Sequence, residues 1–128
     1  MIIVGNGHVV TRDRHNPYFP DGAVAIDGTQ ICGVGRTDDL RRRFPEASFI
    51  DAKDGVIMPA FINTHEHIYS AMARGLQIDD YAPKGFLDIL DGLWWNIDRH
   101  LTNDLTYLSA MATYVECIKN GVTTIFDH

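Results

Sequence analysis

The chain has 128 residues, of which 45% are hydrophobic and 22% charged, a composition typical of a globular protein with one ordinary core. Its formal net charge of −6 argues against a nucleic-acid-binding protein, which needs a basic surface. No apolar run approaches the roughly 20 residues of a membrane-spanning helix, so we expect no membrane partner.

The cysteines and the first residues indicate the compartment. Cys32 and Cys117 are isolated and form no C-x-x-C pair, as is typical of reduced thiols in a cytosolic protein. The opening segment, MIIVGNG, lacks a basic region and its apolar run is short, so we expect no signal peptide. These observations predict a cytoplasmic protein.

The first part of the chain predicts short strands joined by turns. In chain order we expect a strand over 2–11 with a turn or bulge at 5–7, a polar loop over 12–21, strands over 23–26 and 30–34, a helix ending at 43, and a strand over 48–51. Asp27-Gly28 predicts a hairpin, because this pair accepts positive φ. Thr37 or Asp38 is the expected N-cap of the short helix.

An apolar run with one proline, Val56 to Asn63, predicts a buried strand that ends in polar residues. Because successive strand residues face opposite sides, His65 and His67 would point one way and Glu66 the other. Two imidazoles at one strand end can bind a single metal ion. The helical zinc signature H-E-x-x-H does not apply, because Tyr69 occupies its second histidine position. An incidental pair is the more common explanation of two such histidines, but the strand end favours a metal site.

The rest of the chain predicts an irregular loop, two helices and a strand. The loop covers 70–85, and the first helix, Phe86–Leu101, would place Leu87, Leu90, Trp94 and Ile97 on one face. Trp94 or Trp95 could stack on a heterocycle, although packing is the more common role of either. The second helix begins after the N-cap Thr102, ends at 120–121 and leads to a strand over 122–126. This order predicts one right-handed parallel βαβ crossover.

The segment Met58–His67, MPAFINTHEH, closely resembles the first barrel strand of the amidohydrolase superfamily, usually written P-G-F/L-I-N-x-H-x-H. Ala60 stands where the family usually has glycine. Residues 22–35 and 49–55 resemble the family's small β-sandwich, and residues 119–127 resemble its second barrel strand. The segments SAMARG at 70–75 and LWW at 93–95 are most similar to the aminohydrolase and chlorohydrolase branch, in particular to the aminohydrolases associated with selenium metabolism.

This resemblance implies an α/β fold with two domains. Residues 1–55 would be part of the small N-terminal β-sandwich, and residues 56–128 would be the first βαβ unit of a metal-dependent (β/α)₈ barrel. A closed barrel takes roughly 200 residues or more, so the barrel is incomplete in this chain. We therefore expect an N-terminal fragment that is inactive by itself.

The resemblance also implies the chemistry. His65 and His67 would bind a catalytic divalent metal, most simply zinc, with iron as the alternative, and metal-bound hydroxide would attack a heterocycle carbon that carries an amino group or a halide. The family's third histidine, shuttle glutamate and ligand aspartate come from later strands, so no catalytic residue is assigned here. Gln77, Trp94 and His128 are weak candidates for substrate contact.

The first hypothesis is therefore a metal-dependent hydrolase of carbon–nitrogen or carbon–chlorine bonds, whose partner is a small molecule, an aminated heterocycle. The alternative is a non-catalytic metal-binding or assembly module that uses the same strands. Two protein ligands predict weak metal binding by the chain alone. The exposed edge of strand 122–126 and the apolar helix faces predict a homo-oligomer.

Overall fold

The structure, a computed structural model, describes all residues from Met1 to His128. The chain divides into two compact units, Met1–Pro59 and Ala60–His128, called here the first and the second unit. The assignment of 1–55 to a β-sandwich domain and of 56–128 to a barrel remains a prediction.

The first unit is a five-stranded sheet with one helix. Its elements are β1 (Ile2–Val10), β2 (Tyr18–Asp27), β3 (Gln30–Arg36), α1 (Thr37–Arg43), β4 (Ser48–Asp51) and β5 (Val56–Ile57). The sheet order is β3-β2-β1-β4, with β5 also paired to β1. The β1–β2 and β2–β3 pairs are antiparallel, whereas β4 and β5 run parallel to β1.

Apolar residues on one face of β1 and β2 form the core of the first unit. Ile3, Ala23 and Ala25 are buried against Leu40 of α1. The two-residue period of a strand places such alternate residues on a common face. Phe44, Ala47 and Phe49 complete the cluster from its margin.

The β2–β3 hairpin is confirmed, and Gly28 takes the positive φ of +56° that its turn requires. The polar loop predicted over 12–21 is too long, because β2 already begins at Tyr18, which pairs with Val10. Pro20 is tolerated within β2 because it lies at a register shift, between the pairs Gly7–Gly22 and Val9–Phe19.

The predicted cap of α1 is wrong. Arg36 is the N-cap, and Thr37 is the first helical residue. The side chain of Thr37 is buried, where its hydroxyl donates to the carbonyl of Gly22 and accepts from the backbone N–H of Asn6, both at 3.0 Å. Threonine therefore joins α1 to β1 and β2 instead of capping its own helix.

The single strand predicted from Val56 to Asn63 is also wrong, because the chain forms two strands here. Val56 and Ile57 pair with β1, and the next strand, β6 (Phe61–Glu66), belongs to the second unit. Pro59 lies in the interruption, and its missing backbone N–H suits a position outside any ladder.

The second unit contains β6, a 3₁₀ segment (Ile68–Ala73), α2 (Phe86–Ile89), α3 (Trp95–His100), α4 (Asn103–Lys119) and β7 (Val122–Asp127). The β6–β7 pair is parallel, as the βαβ pattern predicts. Two polar residues of α4, Ser109 and Thr113, are buried, and the Ser109 hydroxyl accepts the backbone N–H of Met72 at 3.0 Å. None of the helices is long and apolar enough to cross a membrane.

The predicted ends of α4 are confirmed. The hydroxyl of Thr102 accepts the backbone N–H of Leu105 at 3.2 Å, which satisfies one of the free donors of the first turn. The helix ends at Lys119, and Gly121 follows with a φ of +74°.

The helix predicted over Phe86–Leu101 is interrupted. A π-turn, Leu90–Trp94, separates α2 from α3. The predicted apolar face is correspondingly broken, since Leu87 is 72% exposed while Trp94 is half-buried. A regular 3.6-residue period does not describe a segment that contains a wider turn.

Candidate metal centre

The end of β6 is fixed by hydrogen bonds on both sides of Glu66. The backbone carbonyl of Glu66 accepts the N–H of His128 at 2.9 Å, which continues the pairing with β7. Its carboxylate accepts the Asn63 side-chain amide at 2.7 Å and the His67 backbone N–H at 3.1 Å. The carboxylate is therefore engaged in holding the strand tip.

His65 and His67 bring their ring nitrogens together at this tip. Their Nε2 atoms lie 3.1 Å apart, and the two rings meet edge to face with centroids 5.0 Å apart. Two zinc–nitrogen bonds of about 2.0–2.1 Å at a tetrahedral angle place their nitrogens roughly 3.3 Å apart. The spacing of this histidine pair therefore suits two ligands of one ion, while metal binding itself remains a prediction.

The other nitrogen of His67 faces a backbone acceptor. Its Nδ1 lies 3.1 Å from the main-chain oxygen of His128, and an oxygen of this kind can only accept. In the tautomer that carries its hydrogen on Nδ1, this contact is a hydrogen bond and Nε2 is free to bind an ion. A backbone acceptor behind the ring is the usual support of a metal-binding histidine.

Two imidazoles are half of a four-coordinate site. The chain contains no group of three or more His, Cys, Asp or Glu side chains placed to hold a metal ion. The ring of His128 lies close by, with its centroid 4.7 Å from that of His65 and 6.1 Å from that of His67. The parallel pairing of β6 and β7 explains why the residue after β7 reaches the histidine pair.

Aromatic side chains form one wall beside the histidine pair. The Trp94 ring centroid lies 5.5 Å from that of His67, and the Tyr69 ring lies 6.0 Å from His67 and 6.3 Å from Trp94. Together they border a cavity of about 430 Å³, called here the histidine cavity. The remaining residues around it are His65, Phe86, Leu90, Trp95, Asp98 and His128.

Tyr69 and Asp98 are cavity residues that the sequence did not single out. Burial raises the pKa of the Tyr69 phenol, and the Asp98 carboxylate raises it further by its charge and by accepting a hydrogen bond. The phenol is therefore neutral at physiological pH. The only signal in the sequence is the spacing of Trp94 and Asp98, four residues apart and thus on one side of a helix.

The candidates for substrate contact lie in different places. Trp94 and His128 border the histidine cavity. Gln77 is exposed in the segment between the 3₁₀ turn and α2 and does not border it. Contact of any of the three with a substrate stays a prediction.

Sequence comparison relates the chain to known deaminases. It is 32% identical over 127 residues to 5-methylthioadenosine/S-adenosylhomocysteine deaminase 1 of Syntrophus aciditrophicus, a match that covers 98% of this chain and 28% of that protein. It is 31% identical over 126 residues to the 5′-deoxyadenosine deaminase of Methanosarcina barkeri, covering 98% of this chain and 27% of the relative. The chain thus spans just over a quarter of the length of these relatives.

Structural comparison gives a consistent result. The zinc complex of the atrazine chlorohydrolase TrzN from Arthrobacter aurescens TC1 matches with a TM-score of 0.80 and 28% identity, covering 99% of this chain and 28% of that one. A family model described as the imidazolonepropionase-like composite domain of bacteria matches residues 22–47.

Proposed function

Because this chain belongs to the amidohydrolase superfamily, we propose that it forms part of a metal-dependent hydrolase that deaminates an aminated heterocycle. The observation that carries the proposal is the histidine pair, whose Nε2 atoms lie 3.1 Å apart at the end of β6. The deaminases and the chlorohydrolase to which the chain is similar support the same reaction class.

His65 and His67 would hold the metal through their Nε2 atoms. Zinc is the proposed ion, because neutral imidazole suits it and a similar structure contains it, and iron is the alternative. A bound divalent metal supplies the Lewis acidity that makes water nucleophilic near neutral pH. The main-chain oxygen of His128 would accept a hydrogen from Nδ1 of His67, and this tautomer would keep Nε2 available for the metal.

The aromatic wall would orient the substrate. Trp94 and Tyr69 offer flat surfaces beside His67, and a heterocycle stacked on them would present its edge to the histidine pair. Asp98, at the edge of the same cavity, is an acceptor for a substrate hydroxyl or amino group. In the overall reaction the oxygen of water replaces the amino nitrogen on a ring carbon, and ammonia leaves.

Zinc titration of the 128-residue chain tests the metal half of the proposal. His65→Ala and His67→Ala each remove one of two ligands, so we expect each to lower the zinc affinity at least about tenfold, the effect that even supporting residues of a metal site can have. His15→Ala is the matched control, because His15 is exposed and lies in the first unit. Calorimetry that gives the same affinity for all three variants and the original chain would refute the site.

An assay of the protein that carries this chain tests the reaction. We expect metal-dependent ammonia release from 5′-deoxyadenosine or 5′-methylthioadenosine, lost in His65→Ala and retained in His15→Ala. Chloride release from atrazine, without ammonia release from either nucleoside, would assign the protein to carbon–chlorine hydrolysis instead. Neither product in a metal-loaded sample would contradict the proposed hydrolase.

A second candidate is an assembly module without catalysis. It is favoured by the large apolar side chains that α4, β6 and β7 expose, which include Tyr107, Ile118, Ile62 and Phe126. We expect homo-oligomers of the chain, which light scattering would detect as masses above 14.4 kDa. Zinc binding and oligomers without either hydrolytic product would favour this candidate.

The cellular location is part of the proposal as well. Cys32 and Cys117 are both free thiols in the structure, which agrees with a reducing cytoplasm. Fractionation of the native cells, followed by detection of the chain, would test this location.

A further inference from the structure

The π-turn between α2 and α3 ends at Trp94, the tryptophan that packs on His67. A π-turn adds a residue to a helical turn, and each residue of a helix rotates the side chain by about 100°. The turn at Leu90–Trp94 therefore sets the direction of both tryptophans relative to α2. In the structure Trp94 packs on His67, with ring centroids 5.5 Å apart, whereas Trp95 borders the same cavity but is 45% exposed.

Tyr81 packs its ring directly on the backbone of this π-turn at Gly92. A Cβ atom built on Gly92 would lie 2.7 Å from Cε2 of Tyr81 and 3.1 Å from its Cδ2. Non-bonded carbon atoms prefer separations of about 3.5–4.0 Å, so even one methyl group would displace the ring or the turn. The absence of a side chain at Gly92 is what lets the ring sit there.

The hydroxyl of Tyr81 does not explain this placement. It is buried and has no hydrogen-bond partner. A buried hydroxyl without a partner is destabilising, so the apolar ring, and not the polar group, holds Tyr81 against the helix. Tyr81 belongs to the irregular segment that precedes α2, and its contact ties that segment to the π-turn.

We propose that Tyr81 is a positioning residue, whose ring on Gly92 fixes the π-turn that directs Trp94 onto His67. The proposal rests on the proposed function only in treating Trp94 and His67 as parts of one site. The contact itself needs neither metal nor substrate. Its consequence is that a residue outside the histidine cavity sets the shape of the aromatic wall.

Nuclear Overhauser effects between the Trp94 indole and the His67 imidazole protons, recorded on the isotope-labelled chain, test the proposal. Gly92→Ala should abolish them, because the new methyl group and the Tyr81 ring cannot share their space. Gly85→Ala is the matched control in the same segment, since no atom lies within 4 Å of a Cβ added there. Effects of original intensity in Gly92→Ala, or equal losses in both variants, would overturn the proposal.

Substitutions of Tyr81 give a second arm that decides the matter if Gly92→Ala does not fold. Tyr81→Phe should keep the Trp94–His67 effects, and Tyr81→Ala should lose them. Tyr81→Ala with undiminished effects would overturn the role of the ring, and so would their loss in Tyr81→Phe.

The result of this test can be distinguished from the result of the zinc titration that tests the proposed function. A chain that binds no zinc but loses the Trp94–His67 effects in Gly92→Ala would refute the metal site and support the positioning role. A chain that binds zinc through the histidine pair but keeps those effects in Gly92→Ala would do the reverse.

Discussion

The two units bury different kinds of side chain. In the first unit the buried residues include the apolar Ile3, Ala25 and Leu40, which close a core between the sheet and α1. In the second unit the buried residues are Ser109 and Thr113, and no apolar side chain is fully buried. Five strands with a helix can cover an apolar face, whereas two strands with helices leave theirs open.

The candidate site lies in the unit with the less closed core. Its geometry comes from hydrogen bonds at the ends of β6 and β7, such as those of Glu66 with Asn63 and with the His67 backbone.

The largest expected effect is that of Ile3→Ala in the first unit. Ile3 is 1% exposed, so its truncation leaves a cavity and should lower the free energy of unfolding by about 2–5 kcal/mol. Ile118→Ala in α4 should change it by less than about 0.5 kcal/mol, because Ile118 is 75% exposed. Urea unfolding followed by circular dichroism measures both changes in the free energy of unfolding. If the two substitutions lower it equally, the exposed face of α4 is covered in solution.

The next largest effect on stability should come from the loss of a buried hydroxyl group. Thr37→Val leaves the Asn6 N–H and the Gly22 carbonyl without their partner, and Ser109→Ala does the same to the Met72 N–H. Each should cost about 1–3 kcal/mol. Amide hydrogen exchange should show faster exchange at Asn6 in the first variant and at Met72 in the second. Thr37→Ser keeps the hydroxyl and should stay close to the original; an equal loss there would exclude the hydrogen bonds as the cause.

Removal of the α4 cap should have a smaller effect, confined to the second unit. Thr102→Ala frees the backbone N–H of Leu105 and should cost about 1 kcal/mol. Thr102→Ser retains an acceptor and serves as the control. Tryptophan fluorescence during urea unfolding reports on this unit alone, because Trp94 and Trp95 both belong to it. An unchanged transition in Thr102→Ala would show that this cap contributes nothing there.

The smallest effect is a pH dependence in the first unit. The backbone N–H of Lys53 and the side-chain amide of Asn6 donate to Asp51 and lower its pKa below 3.8. A carboxyl with a lowered pKa in the folded state stabilises it above the ordinary value, and this contribution is lost as pH falls through the folded value. Stability should therefore fall less steeply in acid for Asp51→Asn than for the original chain. Equal slopes in Asp51→Asn and in the original chain would show that Asp51 does not contribute to the pH dependence of stability.

The sequence predicted the local structure correctly where that structure depends on residues close together along the chain. The Asp27-Gly28 hairpin, the Thr102 cap and the glycine after α4 all formed as predicted. Each is decided within a few residues, by the φ angle or by one side-chain acceptor. The alternation of β6 likewise predicted that His65 and His67 would share a side.

Predictions from the sequence failed where a residue distant along the chain decides the local structure. Val56 and Ile57 have the composition of the following strand, but they pair with β1. Thr37 has the character of a cap, but the buried space beside Gly22 takes its side chain. Tyr69 and Asp98 become neighbours only once α3 packs near the end of β6, so no spacing could have revealed them together. Strand register and the packing between distant segments depend on both partners, so neither can be predicted from one segment alone.

The alternation of β6 has a consequence for how genes for such proteins can change length. Ile62 and Asn63 are registered with Thr124 and Ile125 of β7, so the strand cannot slide without breaking that pairing. The pairing already contains an irregularity between Asn63 and Glu66, where three steps along β6 are matched by two along β7. An irregularity of this kind accommodates one extra residue in one strand and bends that strand locally. A change of length within the regular pair Ile62–Asn63 would turn the side chains that follow, both imidazoles included, to the opposite face, whereas a change at the irregularity alters the local bend at the histidine pair.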